Sequence, residues 1–443
     1  MERLDERKIS PWLDHLGILI LLLALLAERL VVLGQLGAEY QLGANDDLGY
    51  VVSGITFIKT GRITMYGGLS AKIMPGMPVL IGLFSLAFGE GHALWLALKL
   101  CWMLMGTATA WVIYRAVRLY APWWCGVLAA APLLAPNYVW MDCLILTETP
   151  YLLGSMSLLY FTLRLKKTGE RRAFIGLLCA FLLTLTIRAN VLSYMAVALL
   201  YLLIGRYDKK RLLRQAGMLL CAMLVLIVPW TVRNAILFHD FVPFNYGGGN
   251  PLLLGTYQGY GWPEDGELDY ETNVDAVMAE EYADYYDENG EPREPYLVRY
   301  LSLERDGVMA RYRIREWLRR DPKSFLRSYL ITKPRMMVDA IFYWKELMGV
   351  PWHVLHRLRL LTLALGAGSV VLSLALRRRR GELLFLVGVY GTALYIYALA
   401  FSFDRYAQPL VPIWYVMIGL GLGLLAELGR KIRRKVKREV VRN

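Results

Sequence analysis

The chain has 443 residues, 56% of them hydrophobic and 12% aromatic, with a formal net charge of +13. Its apolar residues come in blocks long enough to cross a hydrocarbon layer of about 30 Å at about 1.5 Å per helical residue, which excludes a soluble enzyme. The basic clusters, at 164–172, 206–214, 377–380 and 430–442, each close an apolar block instead of forming one patch; that argues against a nucleic-acid partner and sets them on the cytoplasmic side.

The first block, 12–34, is too long for a signal-peptide core and reads as a retained span. A first exterior loop, 35–91, follows. Within it "DLGYVVSGITFIKTG" predicts a short helix with Val51, Ile55 and Ile58 on one face and Gly61 as its stop. The apolar stretch 79–89 is too short to cross, and Pro75 and Pro78 punctuate its start, so it reads as an interfacial or re-entrant helix. If it crossed, every later basic cluster would fall on the wrong face. Further spans are expected at 92–114, 122–139, 143–163, 173–188, 190–205 and 212–231. A larger exterior loop, 232–356, carries an acidic lobe: residues 264–306 hold 15 Asp/Glu against 3 Lys/Arg. After it, 335–352 mixes aromatic and charged residues as an amphipathic helix lying on the membrane would. Spans at 357–376, 383–402 and 407–427 complete an all-α polytopic protein of about ten transmembrane helices plus interfacial helices. Its expected divisions are a transmembrane region 1–231, the loop 232–356, C-terminal helices 357–429 and a basic cytoplasmic tail 430–443. Both termini are expected in the cytoplasm of a cell (inner) membrane. The five cysteines lie in apolar segments at unrelated spacings, which argues against a disulfide framework or a zinc site.

The candidate chemistry collects at the exterior boundary. Asp46 and Asp47 open the first-loop helix, and Tyr50, four residues after Asp46, shares its face. Capping needs only one oxygen-bearing side chain, which Asn45 can supply. Two carboxylates at a helix N-terminus are stabilised as anions and suit a base or a metal site, against the plainer reading of solvated loop acids. Glu148 stands at the outer end of its span, where a carboxylate is costly unless paired; the plainer reading is a helix-start acid with Thr147 as cap. Arg188, Arg405, Arg233 and Lys72 lie at the same level and could hold phosphate, arginine best because its fork is bidentate. Snorkelling is the plain alternative for the arginines, and Asp404 with Arg405 could form a local pair. "YGGGN" at 246–250 could cradle phosphate or be a flexible turn. "GLGLG" at 419–423 lies within a span, where glycines let helices approach.

Several stretches then fall into a familiar order: "NDDLGYVVSGITFIKTGRI", "KIMPGMPVLIGLFSLAFG", "LTETPYLL", "TIRANVL", "PWTVRNAILFHDFVPFNYGGGNPLLLG" and "RYAQPLVPI". Together these resemble GT-C glycosyltransferases, among them protein O-mannosyltransferases and the lipid A aminoarabinose transferase. The resemblance covers most of the chain except the acidic lobe. It implies many transmembrane helices around a cavity open to the outside, and a polyprenyl-phosphate sugar as donor, with a lipid, glycan or protein as acceptor. By position Asp46 matches the catalytic acid and Asp47 its neighbour; the family often has Asp-Glu there, so Asp-Asp is a departure. Glu148 would join the catalytic group, Arg188, Arg405, Arg233 and Lys72 the donor phosphate, and Tyr50, Tyr406 and Asn250 the cavity wall. A divalent cation on Asp46 and Asp47 is left open, as is any other cofactor. The competing classes are a transporter or lipid flippase and a surface-polysaccharide polymerase or ligase on another fold.

Overall fold

The computed structural model describes residues 11–442; the chain's first ten residues and Asn443 at the end of the basic tail lie outside it. Nineteen α-helices, seven short 3-10 and π segments and one two-stranded hairpin make up the regular structure of the described residues. Helix α1 (Pro11–Leu36) leads to α2 (Asp47–Thr60), the hairpin β1 (Thr64–Met65) and β2 (Gly68–Leu69), and α3 (Gly76–Phe88). Gly61 ends α2 as expected, in the left-handed conformation at φ 69°, its N–H bonded to the Phe57 carbonyl. Helix α3 has 13 residues, far short of a crossing. It packs across α2 where two glycines meet: a Cβ on Gly54 would lie 2.6 Å from the Ile81 side chain, and one on Gly82 2.6 Å from Ile58. The two loop helices therefore form one plate over the bundle.

The bundle continues with α4 (His92–Arg118), α5 (Trp123–Ala130), α6 (Pro136–Asp142), α7 (Glu148–Thr168), α8 (Arg171–Ile187), α9 (Leu192–Ile204) and α10 (Lys209–Phe238). The segment 122–139 is not one continuous helix. Pro132 and Pro136 each remove a backbone donor, and the chain passes through a tighter turn at Ala131–Leu134 between α5 and α6. Residues 143–147 form a buried turn, and the next helix starts only at Glu148.

The large loop contributes α11 (Gly249–Gly255), α12 (Ala276–Glu281), α13 (Leu297–Arg320), α14 (Pro322–Arg327) and α15 (Lys333–Asp339). Gly249 meets Gly307 of α13 so closely that a Cβ on it would be 2.4 Å from the Gly307 Cα; packing is the structural demand behind this part of "YGGGN". The expected amphipathic helix over 335–352 is not formed. The chain is helical only to Asp339 and irregular from there to Pro351. Met348 and Gly349 take positive φ, Pro351 disfavours helix before it, and the Tyr343 hydroxyl donates to carbonyls at Leu347, 2.9 Å, and Val350, 3.1 Å. Helices α16 (Trp352–Leu376), α17 (Arg380–Ala400), α18 (Asp404–Ala407) and α19 (Pro412–Arg442) finish the chain. The "GLGLG" glycines do pack helices: Gly419 faces Val117 and Ala129, Gly421 faces Ser369, and Gly423 faces Ala121.

Among the described residues, six helices are long and apolar enough to cross a membrane: Asp14–Leu36, His92–Arg118, Lys209–Phe238, Trp352–Leu376, Arg380–Ala400 and Asp404–Val436. Shorter apolar helices at Trp123–Leu134 and Ala189–Ile204 stand among them. The protein is an all-α integral membrane protein.

Candidate active site

A cavity of about 400 Å³ opens at the end of the bundle covered by α2 and α3. Asp46, Tyr50, Lys72, Arg188, Asn250, Arg405 and Tyr406 all line it, seven residues drawn from segments separated by up to 360 positions.

Asp46 immediately precedes α2 and makes no side-chain cap to it. Its carboxylate is free to point into the cavity. Oδ2 accepts from Arg405 Nη1 at 2.9 Å, and Oδ1 accepts from the Tyr66 hydroxyl. Burial pushes Asp46 up, but the Arg405 guanidinium, the Tyr66 hydroxyl and Lys72 together hold it below the usual carboxylate value. Tyr66 sits at φ 53° beside Gly67 at φ 86°, the left-handed pair that a two-residue hairpin needs. Left-handed backbone is uncommon for a tyrosine, and here it delivers the hydroxyl to the acid. Burial and the bond to Asp46 raise the Tyr66 phenol, so it stays protonated and donates.

Behind Asp46 stands a second carboxylate. Glu148 is fully buried at the start of α7. Its Oε1 accepts from Arg405 Nε at 2.6 Å and from Arg188 Nη2. Thr147 does not cap α7; its hydroxyl accepts from Arg188 Nε at 2.8 Å and Nη2 at 2.6 Å. Arg188 Nη1 donates to the Tyr397 hydroxyl at 3.2 Å, and its guanidinium lies 5.4 Å from the ring centres of Tyr151 and Tyr406. Both arginines are therefore fixed, side by side, by the shared Glu148, Arg188 also by aromatic faces and Arg405 by Asp46, instead of snorkelling outward. Arg405 is further located by Asp404, which accepts from the Arg405 backbone N–H at 2.7 Å and from Trp344 Nε1 at 2.7 Å.

Lys72 lies over the Tyr66 ring, 4.8 Å from its centre, and Arg299 stands 5.8 Å from the same ring. Burial and Arg299 lower the Lys72 ammonium, and Asp46 raises it. Asn250 donates to Asp306 at 2.8 Å, tying the cavity rim to α13.

The remaining candidates stand elsewhere. Asp47 is fully buried and outside the cavity lining; its Oδ2 accepts the Ile145 N–H at 2.7 Å and so holds the turn that presents Glu148. Burial raises Asp47 to about 6, against the Ile145 hydrogen bond and Lys99. Arg233 also lies off the cavity, donating to carbonyls of Ser70 at 2.9 Å and Ile63 at 3.3 Å. Among the described residues no three His, Cys, Asp or Glu side chains gather as a metal site would need. Tyr66, Tyr397 and Arg299 were not picked out from sequence, and Thr147 only as a cap; the tertiary fold brings the first three to the site and turns Thr147 to Arg188.

The geometry can be set beside known proteins. The family described as dolichyl-phosphate-mannose-protein mannosyltransferase matches residues 74–232. The fold matches the Archaeoglobus fulgidus oligosaccharyltransferase AglB solved with an inhibitory peptide and a dolichol-phosphate, at TM-score 0.53 and 14% identity over 96% of this chain and 52% of that one. The same organism's oligosaccharyltransferase in the apo form matches at TM-score 0.56 and 13% identity, over 98% and 53%. The chain has the GT-C fold. It spans about half the length of these oligosaccharyltransferases. ArnT from Cupriavidus metallidurans bound to undecaprenyl phosphate is also similar, at TM-score 0.40 and 15% identity over 94% and 77%. No curated protein sequence matches the chain. The GT-C fold removes the reading of a polymerase or ligase built on another fold.

Proposed function

We propose that this GT-C protein transfers a sugar from a polyprenyl-phosphate donor to an acceptor on the extracytoplasmic face, with Asp46 as general base. The observation that carries the reading is one ionised carboxylate on a cavity wall that also presents three cations, Arg188, Arg405 and Lys72. Support comes from the family match to dolichyl-phosphate-mannose-protein mannosyltransferases over 74–232 and from the fold shared with an oligosaccharyltransferase bound to dolichol-phosphate.

In this mechanism the acceptor hydroxyl docks against Asp46. Its oxygen forms a bond to the anomeric carbon as the bond from that carbon to the lipid phosphate breaks. The proton passes to Asp46 as the oxygen becomes acidic, so an acid held ionised serves even with a depressed pKa. The departing phosphate gathers charge, which the fixed guanidinium pair and Lys72 stabilise without reorganising. Glu148 holds the two guanidiniums side by side, one of them against Asp46, and Asp47 positions the turn that carries Glu148. Tyr50, whose phenol burial raises and keeps protonated, and Tyr406 shape the donor pocket. A transporter reading would want its binding charges near mid-membrane; here they collect at one end.

The test is incubation of the purified protein with a panel of radiolabelled polyprenyl-phosphate sugars and membrane extracts as acceptor. Transfer by the wild type and its loss in Asp46→Asn are expected. Transfer equal in both would remove the base assignment, and no transfer from any donor would remove the donor class.

A further inference from the structure

A second cavity, of about 330 Å³, shares no lining residue with the first. It is a groove between α5 and α6 on one side and α16 and α19 on the other. Its lining is graded along the helices. Leu128, Leu365 and Leu422 line one end, while Asn137, Arg359 and Tyr415 line the end nearer the active site. From Arg359 to Leu365, and from Tyr415 to Leu422, the drop is about 10 Å at about 1.5 Å per residue. The volume holds on the order of ten water-sized groups, a stretch of one acyl chain. Leu358, Leu361 and Leu365 beside it are 49%, 53% and 50% exposed, as residues facing lipid are.

Arg359 is the unexplained group. It is 5% exposed and forms no ion pair with a described residue. Its partners are neutral: Nη2 donates to Gln408 Oε1 at 3.1 Å and Nη1 to the Val338 carbonyl at 3.4 Å. Arginine cannot shed its proton, and a cation buried in a membrane bundle is costly unless an anion meets it. All the acids of the first site are engaged elsewhere, and Gln408 offers only a dipole.

We propose that this groove binds an anionic glycerophospholipid. Its phosphate meets the Arg359 fork, with Asn137 and Tyr415 beside it, and one acyl chain lies down the leucine-lined end. Charge complementarity and the polar-to-apolar grading select this occupant over a neutral lipid, and the depth of the groove selects it over free phosphate. The lipid would seal α16 against α5, acting as a structural ligand separate from the sugar donor.

The test is thermal unfolding and native mass spectrometry of the detergent-purified full chain with palmitoyl-oleoyl phosphatidylglycerol, the matching phosphatidylcholine, or inorganic phosphate. Phosphatidylglycerol is expected to raise the unfolding temperature and remain bound in the gas phase. Its apparent affinity should fall about tenfold or more in Arg359→Gln, the worth of a hydrogen-bonded charge. Thr362→Trp, which leaves Arg359 intact and fills the groove one turn below it, should lose the lipid too, and it decides the matter if Arg359→Gln fails to fold. Equal stabilisation by phosphatidylcholine or by inorganic phosphate overturns the proposal. So does wild-type lipid retention in both variants, or displacement of phosphatidylglycerol by polyprenyl phosphate, which would make the groove a donor site.

Discussion

Replacing Asp46 by Asn separates the chemistry from the scaffold. The amide oxygen can keep the 2.9 Å bond from Arg405, and its NH2 then faces the Tyr66 hydroxyl, which turns to accept. One carboxylate charge is lost, but Arg405 retains Glu148 at 2.6 Å, so no guanidinium is stranded. The Asp46 side chain is 31% exposed and its Arg405 partner 10%, so losing this charge-assisted bond should cost about 1–3 kcal/mol of stability. Turnover should instead fall by about 10²–10⁴-fold, the usual worth of a positioned base, or about 3–5 kcal/mol of barrier. Donor affinity should hold or tighten, because a negative charge leaves the phosphate pocket. In the wild type, the depressed pKa should let turnover persist as pH falls through about 4, where an ordinary aspartate protonates. Single-turnover transfer from a labelled polyprenyl-phosphate sugar, scaled to folded protein, reads all three quantities. Turnover above a tenth of wild type in Asp46→Asn would refute the base assignment.

Other perturbations address the groups around it. Arg405→Lys should weaken donor binding about tenfold or more, because a single ammonium cannot bridge Asp46 and Glu148 while holding phosphate; wild-type affinity in a binding titration would place the phosphate elsewhere. Glu148→Gln should destabilise by about 3–5 kcal/mol, since it removes the charge between two buried guanidiniums, and an unchanged unfolding midpoint would contradict the network. Asp47 has a folded pKa of about 6, above its ordinary 3.8, so the folded state binds more protons. Wild-type stability should therefore fall as pH rises from about 4 to about 6 and stay lower beyond. Asp47→Asn should abolish that slope and be the more stable form at pH 8, by up to about 3 kcal/mol; an unaltered slope would absolve Asp47. A cysteine at Thr60 or Glu288 should react with an impermeant thiol reagent in intact cells and one at Lys210 or Lys435 should not; the reverse pattern would invert the assigned orientation.

Patterns local in sequence were legible before the fold was known. The Gly61 stop, the short helix around 79–89, and the boundary charges all follow from periodicity and the cost of burying charge. What escaped were features made by distant segments. Tyr66 reads as an ordinary loop tyrosine, and only the hairpin's left-handed turn brings it to Asp46. Asp47 reads as Asp46's twin, yet one helical step of about 100° turns it from the cavity to the Ile145 backbone. The 335–352 segment has the composition of an amphipathic helix, but the Tyr343 turn and Gly349 before Pro351 outweigh it. Arg29 lies next to Glu28 in the first span, yet its closer partner is the distant Asp142, at 2.8 Å against 3.7 Å.

Arg405 touches Asp46 across 359 positions of sequence and Glu148 across 257. Synthesis runs from the first of these residues to the last, so the two acids enter the membrane long before their shared cation exists. Until α18 arrives, Glu148 has Arg188 for company, and Asp46 has Tyr66 and the nearby Lys72. On the proposed reaction, the centre is thus completed only when α18 is made: a half-inserted chain would carry the acid without the clamp that aims it, and would be inert towards lipid-linked sugars around it.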